Sequence, residues 1–422
     1  MCSSDLTEQV VLDVVSSAFD SAGQRCSALR ILCVQQDSAA TVVKMLKGAM
    51  QQLIVGNPAI LKTDIGPVID QEAKQTIDNH IQKMKSKGYP VHQLMFNDAA
   101  SQQALAQGTF VPPTAIELPN LDDLEREVFG PVLHIITYKY GELEQLIDRI
   151  NAKGYGLTMG LHTRIDETIN TVIQRAEVGN LYINRNIVGA VVGVQPFGGE
   201  GLSGTGPKAG GPLYMYRLME HCSEKVLATP FAVKSELSQF DAVSNVAYQN
   251  LLTWAQKHMA QAIPETPAFG VGKFYELQGP TGESNQYIIL PRHRVLSIAN
   301  DERGQLQQLL AVFAVGSSAA VLKDNMFLAK YQASLPKEVL AAIKVISNIE
   351  TDQFDAVLHH GSVEQLTDLQ NKIANRSGAI VGITHLQTDE QIPLERLVIE
   401  RAISVNTAAA GGNASLMTLS ED

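Results

Sequence analysis

Apolar residues recur with a helical distribution near the start of the chain. Within residues 7–22 the apolar positions are Val10, Val11, Val14, Val15 and Phe19. They fall on one face of a helix and therefore predict an amphipathic α-helix. Gly23 indicates where that helix ends. The apolar run over residues 29–34 is typical of a buried strand.

The rest of the first half alternates between these two patterns. Helices are predicted at residues 39–53, 71–87, 142–151 and 167–176. Strands are predicted at residues 132–138, 157–162 and 181–184. Asp37 or Ser38 would cap the first of these helices, because such side chains accept hydrogen bonds from free backbone N–H groups. The alternation favours an α/β layer structure over an all-α or an all-β one.

A second α/β series occupies the last third of the chain, after a helix at residues 244–260 and a stretch rich in Pro and Gly at 264–282. Strands are predicted at residues 295–298, 319–322, 356–359 and 379–383. Helices are predicted between them, at residues 302–315, 337–346 and 363–374. Repeated βαβ units of this kind predict a small, mostly parallel sheet.

A glycine-rich stretch over residues 197–212 separates the two series, and we place the domain boundary shortly after it. The predicted domains are residues 1–228 and residues 229–422. Residues 404–419 are small, polar and nearly free of charge. Such a segment is either a flexible tail or an extended strap that docks closely on another surface.

Composition and charge exclude several classes of protein. Lys and Arg number 33 and Asp and Glu number 44, so the formal charge is −11. This balance argues against a nucleic-acid-binding surface, which needs clustered basic residues. No apolar run reaches the roughly 18–20 residues that span a bilayer, and the first residues show no signal-peptide pattern. The four cysteines lack CxxC or scaffold spacing, which indicates reduced thiols and the cytoplasm.

Cys26 is the first candidate for chemistry. It lies between a predicted helix and a predicted strand, on a connection where a reactive side chain can face a cleft. A thiol there becomes a nucleophile when nearby positive charge or backbone N–H groups favour the thiolate, and Arg25 is adjacent. The alternative is a small buried side chain, the commoner fate of a free cysteine. Cys33 lies within an apolar strand and is predicted to be core.

Two further segments could contact a ligand. In Glu-Val-Phe-Gly-Pro-Val, a carboxylate at Glu127 could accept hydrogen bonds from a sugar while the ring of Phe129 packs on a heterocycle. The alternative is a loop leading into a strand, with Phe129 in the core.

The glycine-rich stretch is the second of these segments. Residues 199–204 match the dinucleotide pattern GxGxxG, but two prolines follow closely, so they do not open the helix that this fingerprint needs. Gly210 and Gly211 form either an anion-binding nest of backbone N–H groups or a structural turn.

Three of these segments occur in a specific order. They are Gly-Gln-Arg-Cys-Ser at residues 23–27, Glu-Val-Phe-Gly-Pro-Val at 127–132, and Pro-Phe-Gly-Gly at 196–199 with Ser-Gly at 203–204. In this order they resemble the aldehyde dehydrogenase superfamily. The motifs at residues 110–114, 155–158, 160–164 and 203–212 are similar to its L-glutamate γ-semialdehyde (pyrroline-5-carboxylate) dehydrogenase branch. The second half is similar to the C-terminal domain of the long, bifunctional proline utilization A proteins.

The resemblance implies a role for each matching residue. Cys26 would be the nucleophile that forms a thioester, and its backbone N–H would help to hold the oxyanion. Glu127 would hold the nicotinamide ribose of NAD, and Phe129 would pack near the nicotinamide. A second group of residues would bind the substrate: Ser27, Gly210 and Gly211 its carboxylate, and Phe197 the walls of the aldehyde pocket. No metal is implied.

The resemblance also implies that the chain is the C-terminal part of a longer enzyme. Only 25 residues precede Cys26, whereas the family's NAD-binding Rossmann domain and its water-activating glutamate come before the nucleophile. FAD would belong only to a proline dehydrogenase part outside this chain. We therefore expect no NADH formation by the isolated chain. The full-length protein would be a homo-oligomer in the cytoplasm, with a peripheral place at the inner membrane allowed.

Two other functions compete with the dehydrogenase. The chain alone would be a non-catalytic scaffold or lid module, with its terminal domain covering a cavity between two active sites. Alternatively it would be a cysteine hydrolase, which needs a histidine beside Cys26. No histidine lies within 50 positions of Cys26 in the sequence, although folding can bring one close.

Overall fold

The computed structural model describes residues 7–96, 102, 106–219, 233–236, 238–264, 271–387 and 390–408. These residues group into two compact units. The first unit is Met1–Val191 with Gly279–Ser284 and Ile403–Asp422, and the second is Val192–Gln278 with Asn285–Ala402. The predicted division at residue 228 lies outside the described residues and stays a prediction.

The first unit alternates helices and strands as its apolar pattern predicts. Its helices are α1 (Thr7–Phe19), α2 (Gln36–Met50), α3 (Gln71–Ser86), α4 (Leu143–Asn151) and α5 (Asp166–Arg175). Its strands are β1 (Ile31–Gln35), β2 (Val91–Gln93), β3 (Thr114–Leu118), β4 (Val132–Tyr138), β5 (Tyr155–Gly156), β6 (Thr158–Leu161) and β7 (Asn180–Ile183). The capping prediction was wrong: α2 begins at Gln36, directly after β1, so Asp37 lies in its first turn.

A four-stranded sheet with the order β1-β4-β3-β2 supports the candidate residues of this unit. β4 pairs in parallel with both β1 and β3, while β2 is antiparallel at the edge. One continuous cluster of buried apolar side chains packs α1, α2 and α3 on this sheet. The segment with Cys26 enters β1 and the segment with Glu127 enters β4, so parallel pairing of neighbouring strands brings the two segments to one edge.

The second unit contains the predicted small parallel sheet. Its helices are α6 (Ser238–His258), α7 (Glu302–Ala314), α8 (Met326–Tyr331), α9 (Lys337–Ala341) and α10 (Val363–Ala374). Its strands are β8 (Glu200–Gly201), β9 (Val233–Glu236), β10 (Lys273–Leu277), β11 (Glu283–Pro291), β12 (Arg294–Ala299), β13 (Ser318–Leu322), β14 (Ile343–Ile346), β15 (Ala356–His360), β16 (Gly382–Leu386) and β17 (Val398–Asn406). β11 and β17 each have one end in the first unit.

The parallel sheet has the order β14-β13-β12-β15-β16. All four pairings are parallel, and the strand order reverses beside β12, as in doubly wound α/β folds. The prediction of a single helix over residues 337–346 was wrong in its second half. Ile343–Ile346 is a strand that pairs with β13, because its β-branched side chains pack well in a sheet.

Antiparallel strands lie within and beside the stretch rich in Pro and Gly at residues 264–282. β10 pairs antiparallel with β9 and with β11, and β17 follows β11 in the strand order. Residues 404–406 of the predicted strap form the end of β17. Residues 409–419 of that strap lie outside the described residues.

The observed architecture confirms the predicted α/β class, with strands and helices alternating in both units. None of the helices in the described part of the chain is both long and apolar enough to cross a membrane.

Candidate functional site

Cys26 lies on an exposed connection between α1 and β1. A short 3₁₀ turn, Asp20–Gly23, ends the helix, and Ser21, Ala22 and Gly23 all have positive φ angles. Left-handed backbone at residues with a side chain carries strain, which is common at functional sites. The structure exposes Cys26 and buries Cys33. The prediction that Cys33 is a core residue is confirmed, and burial raises the pKa of its thiol.

Gly23 has a specific steric reason to be glycine. A Cβ atom at this position would collide with the backbone carbonyl of Gly130 and would lie 2.9 Å from the Ala18 oxygen. The backbone of the cysteine segment, residues 23–27, therefore packs in direct contact with the backbone of the Glu127–Val132 segment. Two motifs that are about 100 positions apart in sequence meet at this contact.

Arg30 joins the two segments through its side chain. Its Nε donates to Glu127 Oε1 at 3.0 Å, and its Nη1 donates to the Gly23 oxygen at 2.6 Å. Its Nη2 donates to the Arg25 oxygen at 3.0 Å, one residue before Cys26. The guanidinium also lies 4.6 Å from the centre of the Phe129 ring, within cation–π range. This one side chain contacts both flanks of the candidate site.

The pKa of Arg30 reflects opposing effects. Burial lowers its pKa, while the Glu127 carboxylate and the Cys26 thiolate raise it. Arginine keeps its proton throughout the physiological range, so a fixed positive charge faces the Glu127 carboxylate. The sequence analysis missed Arg30. The available signal was a single charged residue at the start of the apolar run that forms β1.

Glu127 and Phe129 are available to a ligand. The Glu127 side chain is 40% exposed, and Phe129 as a whole residue is 45% exposed. The alternative that placed Phe129 in the core is therefore wrong, and Val128 between them is the buried residue. Ser27 is buried, in the connection whose turn is closed by a hydrogen bond from the Ala28 N–H to the Arg25 oxygen at 3.0 Å.

The remaining candidates, Phe197, Gly210 and Gly211, lie in the second unit. Phe197 is half-buried and exchanges two backbone hydrogen bonds with Ala209, at 3.0 and 2.9 Å. Gly210 has φ +69°, and the Gly211 N–H donates to the Lys208 oxygen at 3.0 Å. The backbone here is a hydrogen-bonded turn, and anion binding by Gly210 and Gly211 stays a prediction.

The rejection of a dinucleotide fingerprint at residues 199–204 agrees with the local backbone. A two-residue strand and turns follow Gly199, and within the described residues up to 219 only one short 3₁₀ turn comes after them. Gly199 and Gly204 instead pack on each other, since a Cβ on Gly204 would lie 2.6 Å from the Gly199 oxygen. The described part of the chain also holds no cluster of three His, Cys, Asp or Glu side chains that could bind a metal ion.

Comparison with known proteins identifies the family. The sequence model described as "Aldehyde dehydrogenase family" matches residues 2–223. The chain belongs to the aldehyde dehydrogenase family. It is 53% identical to the "Bifunctional protein PutA" of Escherichia coli (strain K12) over 99% of its own length and 32% of that protein. It is 35% identical to the "1-pyrroline-5-carboxylate dehydrogenase" of Geobacillus sp. (strain WCH70) over 53% of this chain and 42% of that protein.

Family membership confirms the resemblance seen in the motifs, and the chain spans about a third of the length of the PutA relatives. A solved structure of Proline Utilization A from Corynebacterium freiburgense matches 96% of this chain and 38% of its own, with a TM-score of 0.62 and 23% identity. At that identity the likeness concerns the fold, and it agrees with the α/β architecture described above.

Proposed function

We propose that this chain carries the catalytic cysteine of an NAD-dependent dehydrogenase that oxidises L-glutamate γ-semialdehyde to glutamate in proline catabolism. The observation that carries the proposal is the exposed Cys26, held beside Glu127 and Phe129 through Arg30 and the Gly23–Gly130 contact. The names of the relatives supply the substrate class. The ring form of this semialdehyde, 1-pyrroline-5-carboxylate, is the compound in the name of the Geobacillus relative.

Cys26 supplies the nucleophile in this proposal. Its thiolate attacks the aldehyde carbon and forms a C–S bond, and the backbone N–H of Cys26 stabilises the oxyanion. The carbon then loses a hydride, which leaves a thioester on Cys26. Water adds to the thioester carbonyl, the C–S bond breaks, and glutamate and the thiolate are released.

The exposed groups beside Cys26 fit NAD. A half-exposed carboxylate at Glu127 suits the ribose hydroxyls, and the exposed face of Phe129 suits a nicotinamide ring. NAD supplies the hydride acceptor when it is bound. The protein's part is to orient the ring toward the reacting carbon, and Arg30 contributes by holding both Glu127 and Phe129.

The substrate carboxylate would be bound by Ser27 and by the N–H groups of Gly210 and Gly211. The Gly211 N–H already donates to the Lys208 oxygen, so its contribution to an anion would be a shared hydrogen bond. Phe197 would line the pocket for the aldehyde chain. In a protein of charge −11, a local set of N–H and hydroxyl donors is the means of holding an anion.

Compartment and assembly follow from the same proposal. The cysteine spacing favours the reducing cytoplasm, and homo-oligomer formation is proposed by family resemblance. The small-molecule substrate remains the partner of the site itself.

Thiol alkylation tests the proposal directly. With iodoacetamide and peptide mapping, we expect Cys26 to react at least about tenfold faster than Cys33, because it is exposed and Cys33 is a buried thiol. L-Glutamate γ-semialdehyde should protect Cys26 by forming the C–S bond. Propanal, which lacks the carboxylate, should protect it only at much higher concentration.

The control is Cys33→Ser, which should leave both the rate at Cys26 and its protection unchanged. Equal protection by the semialdehyde and propanal would refute the carboxylate site. Equal alkylation rates for Cys26 and Cys33 would refute the nucleophile and favour the scaffold function.

A further inference from the structure

A buried carboxylate in the second unit contacts the turn that contains Gly210 and Gly211. Glu400 lies on β17 and is 8% exposed. Its Oε2 accepts a hydrogen bond from the backbone N–H of Lys208 at 2.7 Å, although the two residues are 192 positions apart. Its Oε1 accepts a hydrogen bond from the Tyr287 hydroxyl at 2.7 Å.

The same carboxylate also touches the far end of the turn. A Cβ atom added to Gly211 would lie 2.9 Å from Glu400 Oε1, so the carboxylate occupies the space beside the Gly211 Cα. The Lys208 oxygen accepts the Gly211 N–H at 3.0 Å. Glu400 therefore holds the first residue of the turn by a hydrogen bond and its last residue by close packing.

Lys208 completes the arrangement with its side chain. It is almost fully buried, and its Nζ donates to the Gly198 oxygen, next to Phe197. Phe197 and Ala209, which adjoin Gly198 and Lys208 in the sequence, form an antiparallel bridge. One residue thus ties the turn to the segment that carries Phe197.

Burial is unfavourable for both charged groups. It raises the pKa of the Glu400 carboxyl, against hydrogen bonds from Tyr287 and the Lys208 N–H. It lowers the pKa of the Lys208 ammonium to about 7, against the charges of Glu400 and Glu200. Buried charged groups contribute little net stability compared with well-packed apolar residues. The specific contribution of Glu400 and Lys208 is the geometry that their hydrogen bonds impose on the turn.

We propose that Glu400 is a positioning residue for the carboxylate-binding turn, residues 208–211. Its role is to fix the direction of the backbone N–H groups of Gly210 and Gly211, which it does from a strand that follows the family-matched segment of residues 2–223. This inference rests on the proposed function, in which these N–H groups bind the substrate carboxylate. Glu400 acts through the backbone and does not touch the substrate.

The test compares variants of the full chain by two measurements. One is amide hydrogen exchange at Lys208 and Gly211, and the other is the dissociation constant for L-glutamate by calorimetry. Glu400→Ala should speed exchange at both amides at least about tenfold and weaken L-glutamate binding by a similar factor. Glu400→Gln keeps an oxygen for the Lys208 N–H, so it should restore most of the protection and most of the affinity.

Glu395→Gln is the matched control. Glu395 is a partly buried glutamate of the same unit, five positions before Glu400, and its ion-pair contact is with Arg396. It should leave both measurements unchanged. Tyr287→Phe removes one hydrogen bond to Glu400 and should give a smaller loss of affinity in the same direction. This variant decides the question if Glu400→Ala fails to fold.

Three outcomes are decisive. Loss of amide protection together with loss of L-glutamate affinity supports the inference. Unchanged exchange and unchanged affinity in a folded Glu400→Ala protein would overturn it while leaving the proposed function intact. A wild-type chain that does not bind L-glutamate would remove the carboxylate role from the turn and would overturn both.

Discussion

Arg30 organises the candidate site at the scale of single residues. Its planar guanidinium presents several N–H donors in fixed directions, and here they reach the oxygens of Gly23, Arg25 and Glu127. A lysine offers a flexible point charge and cannot make all of these bonds. The position of Cys26 relative to Glu127 therefore depends on the shape of this side chain as well as on its charge.

Replacement of Arg30 by alanine should destabilise the protein and disturb the site. The side chain is 12% exposed, and its loss leaves the carbonyl oxygens without their donor. We expect a loss of about 2–4 kcal/mol in the free energy of unfolding, measured by urea denaturation, and a changed alkylation rate at Cys26.

Arg175 is the matched control for this variant. It pairs with the carboxylates of Glu144 and Asp148, but all three side chains are at least 40% exposed. Arg175→Ala should therefore reduce the free energy of unfolding much less than Arg30→Ala does, because exposed ion pairs contribute little to stability. Similar losses for the two variants would contradict the role assigned to Arg30.

At the scale of elements, the histidine pair His80 and His134 joins α3 to β4, and His134 contacts the backbone oxygen of Arg30. His134 Nδ1 lies 3.0 Å from the Arg30 oxygen, which only accepts, so this nitrogen carries the proton. His134 Nε2 is then the acceptor for His80 Nε2, at 2.9 Å. Both rings are neutral in this arrangement, and burial lowers the pKa of each to about 4.

This pair predicts a pH dependence of stability. His134 has a folded-state pKa of about 4 and an unfolded value near 6.5, so below pH 6.5 the unfolded chain binds the proton first. Stability is full above about pH 6.5 and falls as the pH drops toward 4. For His134 alone we expect a loss of about 2 kcal/mol between pH 7 and pH 5.

Urea denaturation at several pH values measures this slope. His134→Gln removes one titrating group, so its stability should fall less steeply over the same range, whatever its stability at pH 7. His92→Gln is the control, because His92 is partly exposed and pairs with Glu117. A slope in His134→Gln equal to that of the wild type would show that the buried pair does not titrate as inferred.

At the scale of the whole molecule, the chain has separate apolar cores. One cluster belongs to the first unit and includes Leu46 of α2. The larger cluster of the second unit includes Leu309 of α7. Both leucines are completely buried. Each unit therefore has its own source of hydrophobic stabilisation.

Matched truncations in the two cores test this division. Leu46→Ala and Leu309→Ala should each cost about 2–5 kcal/mol, because each leaves a cavity in a closely packed core. By hydrogen exchange, Leu46→Ala should have its largest effect at β1 and Leu309→Ala at β12. A largest effect in the opposite unit for either variant would contradict the assignment of the cores.

Local patterns predicted most elements of both units. β4 and α10 begin and end where the apolar period predicts, because their patterns are long and unambiguous. The prediction failed at β14, where a short helix and a short strand share one apolar run. It also missed β10, β11 and β17, and β17 lies beside β11 in the sheet although the two strands are far apart in the chain.

The residues of the candidate site also fall into two groups, those that the sequence identifies and those that it does not. Cys26, Glu127 and Phe129 could be identified from sequence because reactive or exposed groups lie in short motifs with specific neighbours. Arg30 and Glu400 could not be identified in this way. Their roles come from contacts across 97 and 192 positions of sequence.

The sequence by itself therefore determined the α/β class, the order of most elements, the family and the cysteine that we propose as the nucleophile. Each of these follows from local periodicity or from a contiguous motif. Only the tertiary structure decided that Arg30 ties the cysteine segment to Glu127, and that Glu400 holds the turn of Gly210 and Gly211. Such contacts form when distant strands pair and bury charged groups together, and no local pattern of side chains encodes which distant partner a charge will meet.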